Sequence, residues 1–529
     1  MRMSKEMITR GETSLGIEFG STRIKAVLLS DAGALLASGN YDWENTLCDG
    51  LWTYSQQEIL TGLRSAYAAL KADVRMKYGL TLTAVGAIGI SAMMHGYLAF
   101  DKDDRLLVPF RTWRNTNTEK AAALLTKELD FNIPLRWSVA HLEQAILNGE
   151  PHVPEIAHLN TLAGYVHYLL TGKRVLGVGD ASGMFPIDSD AIDYDAAKLT
   201  KFDALHEKDG FPWTLREILP QVLPAGAPAG TLTADGARLL DPDGDLAAGC
   251  PLCPPEGDAG TGMTATNSVA ARTGNISAGT SVFAMLVLEH PLSKVYPEID
   301  MVTTPDGKPV AMVHCNNCTS DIDAWIRLFD EVLRAFGSNV PKRDLYDRFY
   351  AYAMRGAADC DGVTSYNLLA GEPLLGLSTG APMMFRASGS KFNFANVARS
   401  LVFSSFAALK VGMEILTQKE RVRIDTLLGH GGLFKTEKVA QSLISSALGI
   451  PVSVLPSASE GGAWGIAILA QFMRLRKPEE ALGDYLNRKV FSQIDLRTET
   501  PVEADKNGFA AYFDRYMKGL AAESALTKD

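Results

Sequence analysis

Cysteine is scarce. The chain has 6 in 529 residues, too few for the disulfide framework of a small secreted scaffold. Four of them form two C-x-x-C pairs, Cys250 with Cys253 and Cys315 with Cys318. The pairs lie too far apart for a compact zinc ribbon, and both sit on or beside apolar stretches, so buried reduced thiols are expected rather than a four-thiolate metal site. No run approaches the ~18 consecutive apolar residues of a membrane span, and the opening Met1 to Met7 has no apolar signal core. Positive charge is short as well. A formal net charge of −10, with no basic stripe interleaved with aromatics, removes nucleic acid from the expected partners. A cytoplasmic protein without membrane attachment fits these absences. Also missing is Gly-x-x-x-x-Gly-Lys-Ser/Thr, which disfavours a P-loop nucleotide site.

What is present is enough apolar material for two cores: 47% hydrophobic residues over this length. Strand-like runs alternate with amphipathic patterns such as Gln57 to Leu70, the grammar of an α/β fold. Gly257-Asp258-Ala259-Gly260-Thr261-Gly262 follows the apolar run Ala247 to Leu252. Read as a strand ending in a small-residue turn, it holds one acid where a ligand can approach the backbone, and Asp258 is the candidate general base.

Leu15 to Leu29 reads as two short strands around the turn Gly20-Ser21-Thr22. Amides and hydroxyls of that turn can bind phosphate oxygens, Lys25 can add charge, and Glu18 can hold a metal directly or through water. Gly274 to Val287 repeats the pattern around Gly279-Thr280-Ser281, which points to an internal duplication. A third cluster, Gly429-His430-Gly431-Gly432-Leu433, lies after an apolar strand and before the helix-like Thr436 to Ile444, the arrangement of a mononucleotide site. A fourth, Ser459 to Ala467, opens an apolar helix whose small residues let backbones cross closely.

These segments, in this order over about residues 14 to 475, resemble the FGGY family of carbohydrate kinases in the actin-like ATPase superfamily. The resemblance implies an α/β, two-domain actin-like ATPase (ribonuclease H-like) fold, with duplicated mixed-sheet domains around a central cleft. Residues 1–271 would carry the sugar and the catalytic aspartate, and 272–529 the ATP. Asp258 falls on the family's catalytic aspartate. Gly20, Ser21, Thr22 and Lys25 fall on the first phosphate motif, Gly279, Thr280 and Ser281 on the second, and Gly431, Gly432 and Leu433 on the adenosine motif. Mg²⁺ would lean on Glu18 and Asp258.

On the sugar side, Ser91-Ala92-Met93-Met94-His95-Gly96 is similar to the Gly-Gln-Met-His-Gly segment of xylulokinases, with Met93 in place of Gln. Met94 and His95 then meet the substrate. Trp113-Arg114-Asn115-Thr116-Asn117 stands where the family has Trp-x-Asp-x-Arg, so Trp113 and Asn115 are expected in the sugar site with less charge than usual. Asp180 resembles the acid beneath the sugar, and a turn or helix-capping role is the alternative. The implied activity is ATP-dependent phosphorylation of a primary hydroxyl on a ketopentose such as D-xylulose. L-Ribulose, L-fuculose, glycerol or an autoinducer diketone remain open as acceptors, and a non-catalytic sensor on the same fold is the distant alternative. A homodimer remains open. The tail after Pro501 is expected to return to the first domain or to lie on the surface.

Overall fold

The computed structural model describes residues 2–436, 438–455 and 461–527. Glu437, Ser459 and Glu460 of the motifs above lie outside the described residues. The chain forms two compact units.

The first unit is built on a five-stranded sheet. Strands β1 (Thr13–Phe19), β2 (Arg23–Ser30) and β3 (Leu35–Asp42) form an antiparallel meander. Helix α1 (Gln56–Tyr78) packs on β3. Its start is fixed by a Ser55/Glu58 capping box and its end by Gly79 at φ 66. Strand β4 (Ala87–Ala92) then lies parallel to β1, and the short helix α2 (Val178–Ala181) carries Asp180. Strand β5 (Glu256–Gly257) is parallel to β4, giving the order β5-β4-β1-β2-β3.

The strand expected over Ala247 to Leu252 does not form. That stretch makes only isolated bridges, Ile88 to Leu252 and Thr231 to Pro251. Pro251, Pro254 and Pro255 cannot donate to a ladder, so strand pairing is confined to Glu256 and Gly257. Asp258 is consequently the first residue of helix α3 (Asp258–Ala265) rather than part of a turn.

The second unit repeats the plan. Strands β6 (Thr273–Ala278) and β7 (Val282–Val287) are antiparallel and β8 (Pro309–Cys315) follows. Helix α4 (Phe394–Glu414) leads to β9 (Thr426–His430), which is parallel to β6. Helix α5 (Val439–Leu448) and β10 (Val452–Val454) complete the repeat. Within a seven-stranded sheet the order β10-β9-β6-β7-β8 matches β5-β4-β1-β2-β3 strand for strand, so the duplication inferred from the two hairpins extends to five strands of each sheet. Among the described residues, one helix, Phe394–Lys419, is long and apolar enough to cross a membrane, and 78% of its apolar window is buried inside the fold, as in a core helix.

The chain passes from the first unit to the second between Ala270 and Ala271, and residues 300–310 and 459–493 return to the first. The latter segment contains α6 (Gly462–Leu475), which packs on β1 and α3. A Cβ on Gly16 would lie 2.2 Å from the Ala463 carbonyl oxygen, and one on Gly465 2.1 Å from that of Thr261. Strand β11 (Arg497–Glu499) pairs with β10, and helix α7 (Glu503–Thr527) packs on α5. The tail thus belongs to the second unit and does not return to the first. At helical spacing on α7, Phe509 stacks on Phe406 and meets Phe403 edge-on, Tyr512 also meets Phe403 edge-on, and Tyr516 stacks on Tyr366.

Candidate active site

In the first unit the β1–β2 turn is held from outside. Trp43 Nε1 donates to the Gly20 carbonyl at 2.7 Å, the Tyr54 hydroxyl to that of Ser21 at 2.6 Å, and Trp113 Nε1 to Ser21 Oγ at 3.2 Å. Thr22 is exposed, and Lys25 stands directly opposite Glu18 in the ladder. Glu18 Oε2 accepts the Ala463 N–H at 3.1 Å. Burial first and the Asp258 charge second push the Glu18 carboxyl up to about 7, against the pull of Lys25. Gly462 has room only for a hydrogen, since a Cβ there would sit 2.2 Å from Glu18 Oε1.

Asp258 and the Met94-His95 segment are bonded to one another: Asp258 Oδ1 accepts the Met94 N–H at 3.0 Å. The Asp258 residue is solvent-exposed, yet protein surrounds its carboxyl densely enough that desolvation raises its pKa. Bonds from the Met94 and Ala259 N–H groups, and the charge of Arg136, oppose that rise. Its position at the first turn of α3 favours the ionised form.

His95 follows β4 with φ 71 and is buried. Its Nδ1 lies 3.3 Å from the Gly183 carbonyl oxygen, an acceptor, so this nitrogen is assigned the proton and Nε2 is left as an acceptor. Burial, then the Arg136 charge, drive its pKa well down and keep the ring neutral. Asp180 is also buried. Thr161 Oγ1 donates to its Oδ2 at 2.6 Å while Oδ1 has no partner, and burial pushes the carboxyl up to about 7, with Asp258 adding to the rise.

Asn115 is placed differently from the rest. Its Oδ1 accepts the Trp52 N–H at 2.9 Å, and its Nδ2 donates to the Trp52 and Thr112 carbonyls at 2.8 and 3.0 Å. Both amide hydrogens are spent on the backbone, so the side chain clamps the loop that presents Trp113.

Two residues near Asp258 were not anticipated. Arg136 pairs with Asp300, which Asn132 also binds at 3.1 Å, and a lone Arg between Leu135 and Trp137 gives no sequence signal. Glu256 is fully buried just ahead of Gly257-Asp258, and its Oε1 accepts the Gly179 N–H at 3.2 Å. A Cβ on Gly177 would fall 2.2 Å from Oε1, and one on Gly179 2.5 Å from Oε2, so the carboxyl occupies a cradle made by missing side chains. Burial, then the Asp180 charge, hold it well above the ordinary carboxylate range. An acid flanked by prolines and glycine was the available clue.

In the second unit, Gly279-Thr280-Ser281 closes the β6–β7 hairpin, with the Gly279 N–H donating to the Ser281 carbonyl at 2.9 Å. After β9, Gly431 sits at φ 98, and a Cβ there would meet the Ala278 carbonyl oxygen at 2.4 Å. Gly432 opens a short 3₁₀ turn, and Leu433 is buried, which leaves only its backbone for a ligand.

Duplicated sheets, each with a small-residue hairpin, and an acid heading a helix at the edge of the first sheet are those of the two-domain actin-like ATPase fold. Family models narrow this. The FGGY family of carbohydrate kinases, N-terminal domain, matches residues 13–242, and the C-terminal domain matches residues 274–473. The chain belongs to the FGGY family of carbohydrate kinases and is a carbohydrate kinase, with a sugar and ATP as substrates. It is 21% identical over 416 residues to the xylulose kinase of Haemophilus influenzae, covering 76% of this chain and 80% of that one. A ligand-bound xylulose kinase from Lactobacillus acidophilus matches with a TM-score of 0.78 at 15% identity, over 98% of this chain and 100% of the other. Gluconate kinase from the same organism matches with 0.78 at 16%, over 97% and 98%.

Proposed function

We propose that the protein transfers the γ-phosphoryl group of ATP to a primary hydroxyl of a ketopentose, D-xylulose first among them. The observation that carries this is the bond from the Met94 N–H to Asp258: the acid and the polyol-gripping segment are one rigid arrangement. Asp258 takes the hydroxyl proton while the sugar oxygen attacks the γ-phosphorus. The bond to the β,γ-bridging oxygen breaks, and ADP leaves with the electron pair. His95 Nε2 accepts from a sugar hydroxyl, Asp180 lies beneath, and Trp113 fixes the sugar loop to Ser21.

Among the nucleotide-binding candidates, the Gly20 to Thr22 turn with Lys25 offers hydroxyls, amides and charge to phosphate oxygens, and the Gly279 to Ser281 turn offers hydroxyls and amides of its own. Gly431 and Gly432 leave open backbone for the adenosine. Mg²⁺ would be held by Glu18 and Asp258, because the Asp258 charge that helps raise the Glu18 carboxyl would be relieved by a divalent cation. When bound, the ion would neutralise charge on the β- and γ-phosphates.

The test is ADP release measured across ketopentoses, L-fuculose, glycerol, gluconate and an autoinducer diketone. The reading expects D-xylulose to give the highest kcat/KM. Preference by tenfold or more for another acceptor would replace the substrate while keeping the kinase, and no stimulation by any would remove the assignment. Homodimerisation and a cytoplasmic location belong to the same proposal, and light scattering of the purified chain checks the first.

A further inference from the structure

The second C-x-x-C pair brackets Asn316 and Asn317, and the chemistry of this segment lies in the asparagines and their partner rather than in the thiols. Cys315 and Cys318 are buried, and burial raises both thiols, so they act as packing groups. The partner is Glu372, itself fully buried. Its Oε2 accepts the Asn316 N–H at 2.9 Å, the Asn317 N–H at 3.3 Å and the Asn317 Nδ2 at 3.1 Å. The neighbouring backbone completes the hold. Asn316 Nδ2 donates to the Gly371 carbonyl at 2.8 Å, Asn317 Nδ2 to that of Ala370 at 3.0 Å, and the Ala370 N–H returns to Asn317 Oδ1 at 2.9 Å.

The far side of the same loop grips Gly279-Thr280-Ser281. The Cys318 N–H donates to the Thr280 carbonyl at 2.9 Å, the Thr319 N–H to that of Gly279 at 3.1 Å, and Thr319 Oγ1 to the same oxygen at 2.7 Å. The carbonyls of Gly279 and Thr280 are thereby turned into the protein, which leaves the turn's outer amides and hydroxyls for a ligand. A buried carboxylate with converging N–H donors thus stands one loop behind a turn whose own contacts fix its direction.

We propose that Glu372, acting through Asn316 to Thr319, is a positioning residue for the Gly279–Ser281 turn and hence for the phosphates of ATP. This rests on that turn being a phosphate site. Above about pH 7, where the Glu372 carboxyl is ionised, a charged acceptor suits the task, because hydrogen bonds to a carboxylate are about twice as strong as neutral ones.

Steady-state kinetics on the full chain tests it, with KM for ATP and KM for sugar read separately. Glu372→Ala is expected to raise KM for ATP about tenfold and leave KM for sugar within about twofold. Glu372→Gln, which keeps an acceptor but not the charge, should show a smaller rise of about threefold. Thr319→Val attacks the loop from its other end and should raise KM for ATP severalfold, which keeps the proposal testable should Glu372→Ala fail to fold. Ser281→Ala reports on the turn itself. An ATP KM moved by Ser281→Ala but unchanged within twofold in Glu372→Gln and Thr319→Val overturns the positioning role and leaves the phosphate site standing. No change in any of them overturns both, and equal losses on both substrates would reduce Glu372 to a residue of general stability.

Discussion

At the scale of single residues, Asn115 spends both amide hydrogens on the Trp52 and Thr112 carbonyls and so holds a loop, whereas the neutral His95 keeps Nε2 as an acceptor. Asp258 and His95 were visible because glycines and small residues surround them in a recognisable order. The use of Asn115 was not, since whether an amide faces a ligand or its own loop depends on Trp52, far away in sequence. Glu256 and Arg136 were hidden for the same reason. A neutral His95 that offers Nε2 leads to a specific expectation: His95→Ala should raise KM for sugar tenfold or more and slow transfer, while any sugar-free ATP hydrolysis persists, because water needs no polyol grip. A kcat/KM within threefold of wild type for every accepted sugar would remove His95 from the site. Met93, at 2% exposure, belongs to the hydrophobic core of the first unit two residues before His95, so Met93→Gln should alter the ranking among ketopentoses at some loss of thermal stability, checked by kcat/KM ratios and thermal midpoint.

At the scale of elements, the two hairpins, α1 and the Gly-rich turn after β9 were legible from period and turn chemistry. The strand before Asp258 was misplaced because the apolar run was given more weight than the prolines that follow it. The helix after the Gly-rich turn begins at Val439, later than Thr436, with Lys438 at φ 68 marking the late start. Glycine cradles are read only in three dimensions, and they carry two expectations. Gly179→Ala should bring a methyl to 2.5 Å from Glu256 Oε2, displace α2 and raise KM for sugar severalfold with KM for ATP unchanged. An unaltered sugar KM would mean that α2 does not set the sugar floor. Gly431→Val adds a branched side chain at φ 98 against the Ala278 carbonyl, so KM for ATP should rise far more than KM for sugar. Equal effects on both would indicate misfolding rather than a nucleotide turn.

At the scale of the whole molecule, duplication was legible but the path of the chain was not, since residues 459–493 return to the first unit through close glycine crossings that no local pattern announces. Buried acids have a collective consequence. Glu18, Asp180 and Glu372 are each raised to about 7, so between about pH 4.5 and 7 the folded chain keeps protons that the unfolded chain has released. Their contribution to stability is full below the unfolded value and is lost as pH rises through about 7. Glu372 faces Cys315 and Tyr516, both neutral in this range, so Glu372→Gln isolates one share of the effect. The unfolding free energy of the variant relative to wild type should improve from pH 5 to pH 8, by on the order of 2–3 kcal/mol at most, with the thermal midpoint following it. A pH-independent difference would mean that Glu372 titrates normally.

The central claim is a sugar-dependent phosphoryl transfer with Asp258 as the base, and sugar-stimulated ADP release by wild type beside Asp258→Asn tests it most directly. Expected is a fall of ~100-fold or more in kcat with ATP binding nearly intact, because the amide keeps the shape and the Met94 bond but takes no proton at neutral pH. A variant that keeps more than about a tenth of the wild-type kcat, below even the low end of general-base effects, would contradict the account.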